Sequence, residues 1–91
     1  MIYDYDQLLQ HLATNIKARR KELGITQEAL ALDAGIDRTY ISQIERGISN
    51  PSLLVLVKVA EILNVEVVKL LAEPLETQDT NIGTNGAITV A

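Results

Sequence analysis

Apolar side chains recur at spacings of three and four along most of the first 73 residues, which is the period of an amphipathic α-helix. In the first such segment Asp6 can cap a helix over residues 6–23, and Gly24 can end it with a positive φ. The apolar positions of this segment are Leu8, Leu9, Leu12, Ala13, Ile16 and Leu23. The pattern therefore predicts a first helix that packs one face onto a core.

Two short helices follow, each with a start signal and a stop signal. Thr26 can cap the second helix, which is expected to end at Gly35. Asp37 can cap a third helix over residues 38–46, closed by Gly47. The sequence thus predicts two helices joined by a turn around Gly35.

The segment ISNPS is a predicted loop, because Pro51 disfavours helical geometry at the residue before it. Ser52 then opens a fourth helix that reaches about residue 64, and residues 66–72 form a fifth. The six valines of this region would also suit strands. However, strict alternation fails at residues 53–55, and the spacing places Leu53, Leu56, Val57, Ala60 and Leu63 on one helical face, opposite Lys58, Glu61 and Asn64. We therefore predict helices, and the charged positions exclude a membrane span.

The composition changes after Pro74. The last stretch has no Lys or Arg and is rich in Thr, Asn and Gly, with a turn signal before a possible short strand at residues 87–90. We predict an all-α, five-helix domain over residues 1–73 and a C-terminal tail over residues 74–91 that could pack against a partner subunit.

The composition also excludes several kinds of site. With no Cys and a single His at position 11, the chain has neither a disulfide nor a thiolate or His-cluster metal site. His11 is expected on a polar helix surface, and no nucleophile–base pair is evident. The N-terminus lacks the form of a signal peptide. We predict a cytoplasmic protein that is not an enzyme, with no cofactor and no bound metal.

The net charge of −4 argues at first against nucleic acid, which usually attracts basic domains. The charge is unevenly distributed, however. Residues 16–50 carry six basic and five acidic side chains, while both ends are acidic. The middle of the chain is therefore the part that does not repel phosphate.

The segment QEALALDAGIDRTYISQIER has the features that a helix-turn-helix requires. A small Ala31 suits a close helix approach, and Gly35 suits a turn with positive φ. The apolar positions that would face the core are Leu30, Ala34, Ile36, Ile41 and Ile44. An ordinary corner between two helices could match several of these positions by chance and is the alternative here.

Residues 15–71, roughly sixty per cent of the chain, resemble the lambda-repressor and Cro-like family of bacterial and phage regulators. The resemblance lies in NIKARRKELGITQEALA, in GIDRTYISQIERG and in NPSLLVLVKVAEILNV. The DRTYIS segment is also similar to the controller proteins of restriction–modification systems. The resemblance implies a transcriptional regulator, encoded by a bacterium or phage, that binds the major groove of double-stranded DNA.

The resemblance also implies roles for individual residues. Arg38, Thr39 and Gln43 are expected to contact bases. Family members often carry Gln where this chain has Arg38 and Thr39, so its DNA sequence should differ from theirs. The residues expected at the DNA backbone are Lys17, Gln27, Tyr40, Ser42, Arg46, Ser49 and Asn50. For Tyr40, inward packing of the ring on the first helix is an open alternative.

Arg20 and Glu45 match a pair that forms a partly buried salt bridge in related repressors, so the resemblance implies a structural ion pair here. A homodimer reading a palindromic operator is expected. Its interface would involve the tail and residues of the fifth helix, Val65, Val67, Val68, Leu70 and Leu71, although these could instead complete the core. The alternative is an antitoxin-type module that autoregulates through its helix-turn-helix and binds a toxin through its acidic tail.

Overall fold

The computed structural model describes residues 2–75 of the chain, and this part contains five helices. They are α1 (Tyr5–Glu22), α2 (Gln27–Ala34), α3 (Arg38–Glu45), α4 (Leu53–Leu63) and α5 (Val67–Leu71). The all-α, five-helix fold class is confirmed. The possible strand at residues 87–90 lies outside the described residues. Within residues 2–75, no helix is both long and apolar enough to cross a membrane.

Three of the four predicted caps are present. Thr26, Asp37 and Ser52 each accept a hydrogen bond from a backbone N–H in the first turn of the helix that follows. The prediction for α1 is wrong, because its cap is Asp4 rather than Asp6. The Asp4 side chain accepts from the Gln7 backbone, and the Gln7 side chain accepts from the Asp4 backbone. These reciprocal bonds satisfy two N–H groups at once, whereas Asp6 lies inside the first turn.

The turn between α2 and α3 depends on Gly35, which ends α2 in the left-handed conformation with φ of 70°. This reversal lets the N–H of Ile36 bond to the carbonyl of Ala31 at 2.9 Å. Ala31 is buried beside the turn, as expected for a small residue at a close approach. The turn therefore fixes the direction in which α3 leaves the core.

The core is one cluster that draws side chains from all five helices. Its members are Leu12, Ile16, Leu30, Ala31, Ile41, Ile44, Leu56, Val59, Ala60, Leu63 and Leu70. The face predicted for α4 is partly wrong, since Leu53 is 69% exposed and Val57 is 39% exposed, while Val59 is fully buried. Nearly every position of α4 is apolar, so the spacing alone could not select the buried stripe, and packing against the neighbouring helices selects it.

Polar side chains of α1 hold the C-terminal ends of α4 and α5. The Asn15 amide donates to the carbonyls of Lys69, Leu70 and Ala72 at 3.3, 3.0 and 2.7 Å. Arg19 donates through Nε to the carbonyl of Leu63 at 2.8 Å. Carbonyls at a helix C-terminus lack partners within the helix, so these bonds tie both helix ends to α1.

His11 takes part in the same contact region, and the expectation of a surface histidine is wrong. Its ring is half-buried, with Nδ1 at 3.3 Å from the Leu71 carbonyl. The Tyr3 ring meets it edge-on, with 4.7 Å between centroids. The N-terminal arm and α5 together cover a face of α1 that the sequence pattern indicated as polar.

Candidate nucleic-acid interface

The first turn of α3 presents its side chains to solvent. Asp37 caps the helix by accepting from the Thr39 N–H at 2.8 Å, which places Arg38 and Thr39 on the exposed first turn. Gln43 lies about one turn further along and is half-buried. Among residues 2–75, no acidic side chain forms an ion pair with Arg38. The predicted base-contacting residues therefore belong to one helix, with its first turn unobstructed.

The last residue of α3, Glu45, is buried with 3% of its surface exposed. Arg20 of α1 donates two hydrogen bonds to the Glu45 carboxylate, from Nε to Oε2 at 2.7 Å and from Nη2 to Oε1 at 3.0 Å. Arg20 also donates through Nη1 to the Ile25 carbonyl at 2.9 Å. The structure thus contains an ion pair between α1 and α3 at the two residues that the family resemblance indicated.

The environment of Arg20 raises its pKa above the ordinary value for arginine. The main cause is the hydrogen bond to Glu45; burial acts in the opposite direction, and attraction to the Glu45 charge adds to the rise. The guanidinium is therefore charged at neutral pH. The ion pair therefore joins α1 to α3.

Gln27 is the first residue of α2 and is half-buried. Its side-chain Nε2 donates to Glu45 Oε1 at 3.0 Å. Sequence reasoning placed Gln27 at the DNA backbone and missed this bond. No local signal could have revealed it, because the two residues are 18 positions apart and meet only when α2 and α3 cross.

The other expected backbone-contacting residues differ in exposure. Lys17, Arg46 and Asn50 are exposed, whereas Ser42 and Ser49 are partly buried. Tyr40 is also partly buried and packs against the core, in line with the inward alternative. Its hydroxyl is therefore the only part of Tyr40 to consider for a phosphate contact.

Lys17 and Arg46 line a groove of about 580 Å³ between α1 and the end of α3. Lys21 lines the same groove, together with the neutral side chains of Gln10 and Thr14. The acidic residue that lines the groove is Glu45, whose side chain is buried and paired with Arg20. The groove is therefore positively charged, and Lys21 lies in it beside Lys17 and Arg46.

The residues expected at a dimer interface divide into two groups. Val68 is 66% exposed, and Val65, Val67 and Leu71 are partly buried against the core. Leu70 is only 2% exposed and belongs to the core, so its assignment to an interface is wrong. The short α5 directs Leu70 inward while Val68, two residues earlier, points to solvent.

The sequence model of the helix-turn-helix family matches residues 16–70. The chain belongs to the lambda-repressor and Cro-like helix-turn-helix family. The transcriptional regulator SinR of Bacillus subtilis is 43% identical over 68 residues, covering 74% of this chain and 61% of SinR. The chain thus spans only about 61% of the length of that relative. The control protein C.SmaI of Serratia marcescens is 42% identical over 60 residues, which is 66% of this chain and 71% of C.SmaI.

Solved structures agree with this assignment. The N-terminal DNA-binding domain of Bacillus subtilis SinR superposes with a TM-score of 0.69 at 41% identity, covering 74% of this chain and 99% of that domain. The restriction–modification controller C.AhdI of Aeromonas hydrophila gives 0.66 at 35% identity, covering 68% and 94%. SinR in complex with DNA gives 0.65 at 42% identity, covering 67% and 98%. The resemblance to both groups of regulators is confirmed.

Proposed function

We propose that this protein is a sequence-specific DNA-binding transcriptional regulator that reads a palindromic operator as a homodimer. The observation that carries the proposal is the arrangement of α3. The side chains of Arg38 and Thr39 in its first turn are exposed. Its last residue, Glu45, is bonded to Arg20 of α1. A helix held rigidly at one end with a polar free end suits insertion into the major groove. SinR, a relative with the same fold, has been seen bound to DNA.

The base contacts follow from the chemistry of the exposed side chains. Arg38 can donate two parallel hydrogen bonds to guanine O6 and N7, a contact that discriminates by about 1–3 kcal/mol. Thr39 can place its methyl against thymine, and Gln43 can pair with adenine. These three residues define the DNA sequence that the protein prefers.

The phosphate contacts surround α3 on two sides. On one side lies the N-terminus of α2, where the Gln27 backbone N–H is free to donate and the helix end carries partial positive charge. On the other side lies the positively charged groove with Lys17, Lys21 and Arg46. Ser42, Ser49, Asn50 and the Tyr40 hydroxyl complete the set. Because several cations take part, affinity should fall steeply as salt is added.

A single copy reaches one half-site, so a two-fold dimer would read two half-sites about 34 Å apart. The proposed interface is the outer side of α5, centred on Val68 with Val65, Val67 and Leu71 around it. We further propose that residues 1–73 form the DNA-binding domain and that the tail, residues 74–91, contributes to dimerisation. The protein would then work as a regulator in the bacterial cytoplasm.

Selection of bound sequences from a random DNA pool tests the proposal. We expect a palindromic consensus that requires Arg38, Thr39 and Gln43, and that loses its guanine preference in Arg38→Ala. A selected pool that shows no consensus, or a consensus unchanged when all three residues are replaced by Ala, contradicts the proposal.

The dimer is tested separately with matched substitutions on two exposed apolar positions. Val68→Glu should dissociate the dimer in sedimentation experiments and weaken binding to the palindrome. Leu53→Glu, at the similarly exposed position on α4, should do neither. If Leu53→Glu alone dissociates the dimer, the interface lies on α4 and the assignment to α5 is wrong.

A further inference from the structure

The Glu45 carboxylate bonds to two residues, and the second of them is part of the proposed DNA interface. One oxygen, Oε2, accepts from Arg20 Nε at 2.7 Å. The other, Oε1, accepts from Arg20 Nη2 and from Gln27 Nε2, each at 3.0 Å. The Glu45 side chain has no exposed surface, so water does not compete for these bonds. Hydrogen bonds to a buried carboxylate are charge-assisted and hold their donors firmly.

We propose that Glu45 is a positioning residue for DNA binding, because it fixes the Gln27 amide in the orientation that a phosphate requires. The proposal rests on the function proposed above. It assigns to the ion pair a role beyond joining α1 to α3. Arg20 sets the position of the carboxylate, and the carboxylate sets the position of the amide.

The geometry of an amide group explains how this works. An NH₂ group has two hydrogens in one plane, so the bond to Glu45 fixes the direction of the second hydrogen. As the first residue of α2, Gln27 also has a backbone N–H without a partner inside the helix. One residue thus offers a phosphate oxygen two donors whose directions are set before DNA arrives.

The bond to Glu45 reduces the conformational entropy that the Gln27 side chain loses when DNA binds. A free glutamine side chain samples several rotamers and loses that freedom when it binds. In this protein the loss occurs on folding, through the bond to Glu45, and not on binding. Removing the carboxylate should therefore weaken DNA binding even though Glu45 is buried and touches no DNA.

The main test is a double-mutant cycle on binding to the selected operator, at a temperature where every variant is folded. Glu45→Gln keeps the side-chain volume but removes one oxygen acceptor and the charge. We expect it to weaken binding about fivefold, the scale of one immobilised side chain. Gln27→Ala should weaken binding about tenfold through the lost phosphate contact. In the Gln27→Ala background, Glu45→Gln should have no further effect.

The cycle distinguishes the two proposals. Equal weakening by Glu45→Gln in both backgrounds means that Glu45 does not act through Gln27, and overturns the inference alone. If the unaltered protein binds no preferred sequence, the proposed function fails and this inference fails with it. Ile16→Val serves as a control, since it loosens the buried core without touching Gln27, and its affinity should be unchanged.

A second measurement needs no variant. NMR relaxation of side-chain amide nitrogens in the unaltered, DNA-free protein should show that Gln27 Nε2 is nearly as rigid as the backbone, with an order parameter of about 0.85. The exposed Gln10 should give a value below about 0.6. If the Gln27 amide is as mobile as that of Gln10, Glu45 does not position it and the inference is wrong.

Discussion

The two ends of α3 are built in opposite ways. The Asp37 side chain caps the first turn, which leaves Arg38 and Thr39 in solvent. The last residue, Glu45, is buried and bonded to Arg20 and Gln27. A single eight-residue helix thus separates two tasks, with recognition at one end and attachment at the other.

The difference has an energetic basis. A side chain surrounded by solvent can be exchanged with little change in stability, so the first turn can vary with the DNA sequence to be read. A buried charge cannot be exchanged in this way, because losing its partner leaves it neither solvated nor paired. The comparison predicts that substitutions at the two ends affect different measurements.

The largest effect is expected for Glu45→Ala. It leaves the Arg20 guanidinium without its carboxylate partner, and we expect a loss of about 3 kcal/mol in the free energy of unfolding. Thermal and urea unfolding measure it. The DNA sequence preference of the folded fraction should remain. Replacing both residues together, Arg20→Met with Glu45→Leu, should recover much of the stability. Equal thermal stability of Glu45→Ala and the parent contradicts this account of the attached end.

Arg38→Ala is the matching change at the free end. Because Arg38 is exposed and makes no ion pair with any residue in the range 2–75, we expect unfolding to be unchanged within about 0.5 kcal/mol. Binding to the preferred sequence should weaken by about 1–3 kcal/mol and lose its guanine preference. Titrations with duplexes altered at one base pair measure this. Lys58→Ala on α4 is the charge-matched control and should keep the preference; the same loss of preference in both variants would argue against Arg38 as the reading residue.

Asp37 lies where the free end begins, and two substitutions separate its cap from its charge. Asp37→Ala should destabilise the fold by about 1 kcal/mol, because the Thr39 N–H loses its acceptor. Asp37→Asn retains a capping oxygen and should keep the stability. It should also strengthen DNA binding at low salt by removing a negative charge beside Arg38. If Asp37→Asn is as unstable as Asp37→Ala, the cap is not what holds the first turn.

The smallest effect is expected at Tyr3, whose side chain contacts Glu73 and His11. Its hydroxyl donates to Glu73 at 2.9 Å, and this bond, aided by burial and by the Glu73 charge, raises the pKa of Tyr3 above 10.0. A raised pKa in the folded state means that the contact stabilises the fold below pH 10 and is lost as the pH rises through the folded-state value. Tyr3→Phe should lower Tm at neutral pH by less than about 4 °C, and the difference from the parent should shrink in alkali.

Calorimetry across pH measures this difference, and DNA affinity serves as the control because the contacts of Tyr3 are with Glu73 and His11, which are not part of the proposed DNA interface. An unchanged Tm would mean that Tyr3 acts through the packing of its ring on His11, which Phe retains, and not through its hydroxyl; a difference that grows with pH would contradict the bond to Glu73 as the cause.

Much of the fold could be predicted from local chemistry. Thr26, Asp37 and Ser52 are good capping residues and Gly35 accepts positive φ, so the helix boundaries were apparent along the chain. The cap of α1 was mistaken because Asp4 and Asp6 are both suitable, and only the reciprocal bond with Gln7 distinguishes them. Local signals identify a helix end well when one candidate is present, and poorly when two compete.

Contacts between distant residues were predictable only through the family resemblance or not at all. The family resemblance predicted the pairing of Arg20 with Glu45. Neither the sequence pattern nor the resemblance predicted the bond from Gln27 to Glu45 or the contact between the rings of His11 and Tyr3. The burial of Leu70 could not be predicted either, because several neighbouring residues of α5 are equally apolar.

The sequence by itself determined the helices, the turn at Gly35 and the polar character of the α3 surface, because these depend on backbone preferences and on spacing within a few residues. Only the tertiary structure decided which apolar face of α4 is buried, which residue of α5 joins the core, and which side chains meet at Glu45. These outcomes depend on how helices cross, and a crossing brings together residues whose separation along the chain carries no signal. The bond between Gln27 and Glu45 exists for that reason.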